Sequence, residues 1–355
     1  MKKLSNFFMS IITSFVVIGI CVLFSSCDQL NVEQTKTVTV EKQRNQKLFM
    51  FNSAQAQDLN ILILPEAYTK DEMNDFVADA SKLYSVLCKT SPYSYLMDKM
   101  NIWYAAGYPS ESDELGSKKT AFGSGKPKDC VLSIEEDSVL NAVNLAKLKA
   151  ENTIVVILVN TDEYVGYTIL TNGDNPNIAV IAARDDYYAT TIIHELGHAI
   201  GLLADEYDDN KVATESIIST LGERHRDGFY LNVSSSAEDF AWKMIIEDEE
   251  YESEGTGVYV GAYCCSSGMF RSTLNSAMRS NLPYYNAISR LRIYQEIMKR
   301  HTGTEPSYYQ FRIEDLAHPA SEWDWKSANQ NRQSATRCID ENYKEKTYSH
   351  SCIWE

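Results

Sequence analysis

The segment from residue 194 to residue 207 reads HELGHAIGLLADEY, and no other stretch restricts the fold as much. His194 and His198 are four apart, so on a helix their imidazoles stand one above the other and point at one place. Glu195 lies about 100° further round the axis, beside that place rather than on it. Two imidazoles offer a metal ion two nitrogen ligands, and a neighbouring carboxylate can take a proton from a water that the metal acidifies. The pattern implies metal-assisted hydrolysis, most often of a peptide bond, with one Zn2+ on His194 and His198 and with Glu195 as general base. The plainer alternative is a pair of helix histidines packed in a core.

A catalytic zinc takes three ligands from the protein. A helix running straight on past Gly201 would carry Asp205 about 10 Å beyond His198, too far for a bond of about 2 Å. The helix is therefore expected to stop or turn near Gly201, where glycine permits a left-handed residue. Asp205 is the expected third ligand, and Glu206, with its longer reach, is the competitor. Whichever of the two does not bind is expected to orient a histidine or pair with an arginine.

The N-terminus begins with Lys2 and Lys3, an apolar run over residues 7–24, and Ser25-Ser26-Cys27. This is the pattern of an export signal, and the cysteine after two serines resembles the lipobox of bacterial lipoproteins, with Cys27 as the lipidated residue. That resemblance implies a chain anchored by lipid to the outer membrane or the cell surface. A retained membrane anchor and an ordinary cleaved signal are the alternatives, and all three put the folded part outside the cytoplasm. The net charge is −16, and loss of residues 1–26 removes two lysines and no acids. So acidic a chain repels nucleic acid, which makes a nucleic-acid partner unexpected.

Past a polar tether over residues 27–57, order is expected from Asp58. LNILILP (59–65), NIWYAAGYP (101–109), NTIVVILVN (152–160) and NIAVIAA (177–183) read as strands. Thr69 and Glu72 form a capping box before a helix carrying Met73, Phe76, Ala80, Leu83 and Leu87, and further helices are expected near 135–149 and 185–203. Strands alternating with helices give an α/β layer with a mixed sheet. Beyond residue 204 the pattern loosens: acidic helical stretches at 236–251, a Gly-, Ser- and Cys-rich loop at 255–276, an amphipathic helix at 284–300, and an aromatic tail over 304–355.

HELGHAIGLLADEY resembles the IgA-peptidase family of bacterial zinc metallopeptidases. LILPEAYTKDEM (62–73), TAFGSG (120–125), VVILVNTDEY (155–164) and GMFRSTLNSAMRS (268–280) agree and occur in the family's order. The resemblance covers residues 58–303. It implies a zincin or metzincin-like fold: a twisted mixed sheet over the active-site helix (58–203) and a loop-rich lower subdomain (204–303). Metzincins carry a third histidine three residues after the glycine of the motif. Here that position is Ala204, so a carboxylate one or two residues later takes its place. The resemblance further implies a methionine turn under the zinc, for which Met278 is the candidate.

The remaining candidates are weaker. His225, His301, His318 and His350 are distant potential ligands, each more often simply solvated. DEYDD (205–209) offers clustered carboxylates to calcium, without the spacing of an EF-hand. Tyr284 and Tyr285 either stabilise an oxyanion or pack in the core. Arg271 and Arg279 either meet an acidic substrate or pair with the acid cluster. Outside Cys21 and Cys27 there are six cysteines, for which Cys338–Cys352 and Cys88–Cys130 are the expected disulfides. The sequence thus reads as an exported zinc metallopeptidase acting on a protein or peptide, with NIAVIAA as the edge strand that pairs with substrate. The alternative is a surface lipoprotein that keeps the peptidase fold as a non-catalytic binding module.

Overall fold

The protein, a computed structural model, is described here over residues 37–39 and 47–318, apart from residues 172 and 281. The segment expected to be an export signal, Cys27, Cys338, Cys352 and His350 lie outside the described residues.

A seven-stranded mixed sheet has the order β1-β2-β4-β3-β5-β7-β6. Its strands are β1 (Thr37–Thr39), β2 (Lys47–Asn52), β3 (Leu59–Glu66), β4 (Met100–Ala105), β5 (Thr153–Val159), β6 (Gly166–Ile169) and β7 (Asn177–Ala182). β4, β3, β5 and β7 are mutually parallel, and β6 runs antiparallel to β7. β3 and β5 are apolar throughout their centres because both faces are covered. Ile61, Ile63, Ile154, Val156 and Leu158 face α1 (Met73–Lys89) and α3 (Tyr188–Gly201). Leu62, Leu64, Val155, Ile157 and Val159 face α2 (Glu136–Leu145).

Below α3 lies a second, smaller sheet of β8 (Asp208–Val212), β10 (Tyr259–Ala262) and β11 (Cys264–Arg271), with β9 (Val233–Ser234) added to β11. Around it are α4 (Glu215–Arg226), α5 (Lys243–Ile246) and α6 (Ala277–Ser280), then α7 (Ala287–Thr302) and α8 (Tyr308–Ala317). α7 packs along α3 and contributes Ile288, Leu291, Ile293 and Ile297 to the main core.

Several expectations are corrected. The tether does not run to residue 57, because β2 lies within it and pairs with β4. The Gly- and Cys-rich stretch at 255–276 is not a loop but holds β10 and β11, whose register shifts hide their alternation. The part of the C-terminal extension described here is no appendage: α8 buries Phe311, and its buried Asp315 binds Arg290 of α7 at 2.8 Å. The edge strand is β6, not NIAVIAA, since β7 is paired on both sides. β6 is only four residues long and half-buried, too short for its own pattern to stand out. Among the described residues no helix is long and apolar enough to cross a membrane.

Candidate metal centre

α3 ends where the sequence requires, by a different residue. The left-handed position is Leu202, with φ of 52°, and its N–H closes the helix on Gly197 and His198 carbonyls. Gly201 serves packing instead: a Cβ there would stand 2.7 Å from Cγ1 of Ile293 on α7. The reversed chain brings the Leu203 carbonyl to Nδ1 of His198 at 2.7 Å, and Asp205 back to the histidines.

His194 Nε2 lies 3.0 Å from Asp205 Oδ1, His198 Nε2 lies 3.3 Å from the same oxygen, and the two Nε2 atoms are 3.1 Å apart. No other set of three or more His, Cys, Asp or Glu side chains among the described residues converges in this way. Both Nδ1 atoms face carbonyl oxygens, of Ala277 at 2.9 Å for His194 and of Leu203 for His198. A carbonyl only accepts, so each Nδ1 carries a proton and each Nε2 faces inward, where it offers a lone pair to a metal once any proton on it has left. Two imidazole nitrogens and a carboxylate oxygen then face one another, with Asp205 Oδ1 buried against both histidines. Such a set suits a positive charge at its centre, a proton on His198 or a metal ion in its place. Three ligands on tetrahedral zinc, with bonds of about 2.0–2.1 Å, stand about 3.3 Å apart, so the triangle has the right size.

The electrostatics agree. Burial alone would hold His198 neutral, but Asp205 and Glu195 outweigh it and raise the metal-free imidazole to about 9. Burial disfavours the charge on half-buried Asp205, yet the two histidines keep its carboxyl well below the usual carboxylate range. The field that draws a proton to this point draws a metal cation equally.

Glu195 is almost completely buried, and the Thr168 hydroxyl donates to its Oε2 at 2.7 Å. Its other oxygen, Oε1, has no hydrogen-bond partner. Asp205 is divided in the same way: the Tyr207 hydroxyl donates to Oδ2 at 3.0 Å and leaves Oδ1 to the histidines.

Beneath the site, Met278 is fully buried against α3, so close that a Cβ on Gly197 would fall 2.5 Å from its sulfur. Glu206 takes no part in the triangle. It is fully buried beside the turn that carries Met278, accepting from Ser276 Oγ at 2.6 Å, from Asn232 Nδ2 at 3.0 Å and from Asn286 Nδ2 at 3.1 Å. Burial pushes its carboxyl upward, against these donors. Its N–H binds the Met278 carbonyl at 2.8 Å. The Glu206 carboxylate therefore neither orients a histidine nor pairs with an arginine, although Arg279 Nη1 donates to the Glu206 backbone carbonyl at 3.3 Å; it fastens the turn.

Residues 49–226 match the family IgA Peptidase M64. The chain belongs to this family. It is thereby placed among peptidases, hydrolases that act on proteins or peptides. The M64 match spans β2 to α4 and includes all of HELGHAIGLLADEY. No curated protein matches the chain.

The other candidate residues sit elsewhere. His225 faces the Tyr230 carbonyl at 3.2 Å, His301 pairs with buried Asp58 at 2.7 Å, and His318 faces the Glu314 carbonyl at 2.8 Å. Tyr285 is core, its hydroxyl 3.0 Å from that of Tyr93. Tyr284 is buried, and its carbonyl accepts from the Ala277 N–H at 2.8 Å. Arg279 pairs with Asp208 at 3.3 Å, so it answers the acid cluster, while Arg271 binds the Val260 and Gly261 carbonyls within the lower sheet. No disulfide joins Cys88 to Cys130. Cys88 sits in the last turn of α1, which packs on β4, whereas Cys130 is bonded to β6, with β3, β5 and β7 lying between those two strands.

Sequence reasoning missed Thr168, Tyr207, Ser276, Asn286 and Asn232. Tyr207 and Ser276 stand inside quoted motifs, and Asn286 has the spacing of an N-cap, three residues before Ser289. Thr168 and Asn232 carry no local signal.

Proposed function

We propose that this M64 protein is a zinc-dependent endopeptidase of metzincin type, with His194, His198 and Asp205 as the ligands of one zinc ion. The observation that carries the reading is the triangle of Nε2, Nε2 and Oδ1 atoms with both Nδ1 protons turned outward. Zinc held there supplies Lewis acidity, acidifying a water and polarising the scissile carbonyl.

The chain's own groups do the rest. Glu195 accepts the proton of the attacking water on Oε1, the oxygen without a partner, while Thr168 fixes Oε2. The same carboxyl group then delivers the proton to the departing amine. The Ala277 and Leu203 carbonyls hold the imidazole tautomers, Tyr207 aims Asp205, and Met278 with Glu206 supports the floor. The outward edge of β6 receives an extended peptide beside Glu195.

The test is Glu195→Gln. It keeps every metal ligand and removes the base, so zinc content stays at one per chain and peptide hydrolysis falls by several orders of magnitude. Full activity in that variant refutes the mechanism. A non-catalytic binding module has no use for a carboxylate held in this way. The export signal and Cys27 extend the proposal to a lipid-anchored surface enzyme. Cys27→Ser is expected to move the protein from the membrane fraction to the soluble fraction or to block its processing, and an unacylated mature protein refutes the anchor.

A further inference from the structure

We infer that the hairpin of residues 128–131 is a fixed wall that closes one flank of the substrate-binding edge, so that a bound peptide extends along β6 only away from Gly166. This rests on the peptidase reading and concerns which substrates fit it.

In an antiparallel pair, alternate residues turn their backbone groups toward the partner strand. The Val165 carbonyl accepts from the Ala182 N–H at 2.9 Å, so Val165, Tyr167 and Ile169 face β7, and Gly166 and Thr168 face outward. Those outward groups are what a peptide strand would use. One of them is already taken: the Gly166 N–H donates to the Cys130 carbonyl at 3.2 Å. Cys130 thus occupies the place of a substrate carbonyl.

The hairpin is tight. Lys128 and Val131 exchange both backbone bonds, at 2.7 and 3.0 Å. Asp129 and Cys130 between them have φ of 50° and 65°, the pair of left-handed residues of a type I′ turn.

It is also anchored. The Tyr167 hydroxyl on β6 donates to the Leu132 carbonyl. Gly125 binds the Ser133 carbonyl at 2.9 Å, and the buried carboxylate of Glu66 accepts from the N–H groups of Phe122 at 2.7 Å and Ser124 at 3.2 Å. Cys130 is only 4% exposed. These ties make the segment part of the wall, not a lid.

The blocked position is close to the chemistry. A Cβ on Gly166 would stand 3.2 Å from Oε1 of Glu195, and Thr168, the next outward residue, holds that same carboxylate. The limit therefore falls within a residue or two of the scissile bond. Antiparallel pairing is the more stable kind, and an antiparallel peptide reaches Gly166 with its C-terminal side. The wall accordingly restricts residues after the scissile bond, and those before it are free to lengthen.

The experiment is a series of peptides with one scissile bond, lengthened stepwise on either side, cleaved by the zinc-loaded protein and by a variant lacking Asp129 and Cys130. In the wild type, kcat/KM is expected to rise about tenfold or more with residues added before the bond, the worth of one or two backbone hydrogen bonds. It is expected to stay flat with residues added after the second position beyond the bond. The deletion is expected to restore the gain on that side; if it fails to fold or to hold zinc, the wild-type series decides alone. Equal gains on both sides, or a gain only after the bond, overturn the inference and leave the peptidase reading intact. Failure to cleave any peptide overturns both.

Discussion

The hydroxyl of Thr168 reaches across from the edge strand to Oε2 of Glu195 at 2.7 Å. One contact thereby joins the edge strand proposed to receive the substrate to the carboxylate proposed to take the proton of the attacking water. It also leaves the two oxygens of Glu195 unequal, one held and one open.

Thr168→Val keeps the shape of the side chain and removes the donor. Zinc content is expected to stay at one per chain and KM to change little, while kcat falls by about 10- to 100-fold, the usual cost of losing a partner of this kind. Thr168→Ser is expected to recover most of the loss. A Val variant as active as the wild type means that the contact does not position the base.

Glu206 and Asp205 are neighbours with different tasks, and substitution separates them. Glu206→Ala takes the acceptor from the buried Ser276 hydroxyl and from one amide hydrogen each of Asn232 and Asn286, whose other hydrogens still reach the Ala204 carbonyl and Thr273 Oγ1. Urea unfolding is expected to show a loss of about 2 kcal/mol or more in the metal-free protein. Asp205→Ala is expected to weaken zinc binding far more than Glu206→Ala does. The reverse order would make Glu206 the ligand.

Much of this was legible in the sequence. The alternation of β3 and β5 with α1 and α2 follows from apolar runs and helical spacing, and HELGH fixed two imidazoles on one face. The turn after Gly201 followed from a distance argument alone, because an unbroken helix cannot return Asp205 to His198. What stayed hidden depends on contacts remote in sequence. Nothing local marks β6, whose four residues owe their strand to β7. Thr168 looks like any strand threonine until β6 lies on α3. Asn232 meets Glu206 only because the chain folds back under the helix. The left-handed residue was placed on Gly201 by propensity, but close packing against Ile293 claims that glycine, and Leu202 takes the strained position.

Zinc uptake is expected to release a proton. The metal-free imidazole of His198 is raised from 6.5 to about 9 by Asp205 and Glu195 against the effect of burial, so at pH 7 it is charged and must lose that proton to bind metal. Calorimetry at pH 7 in buffers of different ionisation enthalpy is expected to report about one proton per zinc, and affinity is expected to fall roughly tenfold per pH unit below 9. Stability has the opposite sign. A raised folded-state pKa favours folding fully below 6.5, and the benefit disappears as pH rises through 9, so the metal-free chain is expected to weaken across that window. Zinc binding without proton release would place the metal elsewhere.

Elemental analysis and zinc titration of the purified wild type beside Asp205→Ala test the central claim most directly. The wild type is expected to hold one zinc per chain, to lose peptide hydrolysis with a chelator and to regain it on zinc addition. Asp205→Ala is expected to bind zinc at least about tenfold more weakly, with the fold unchanged by circular dichroism. A wild type that takes up no metal, or an Asp205→Ala variant that holds zinc as tightly as the wild type, would contradict a centre built from His194, His198 and Asp205.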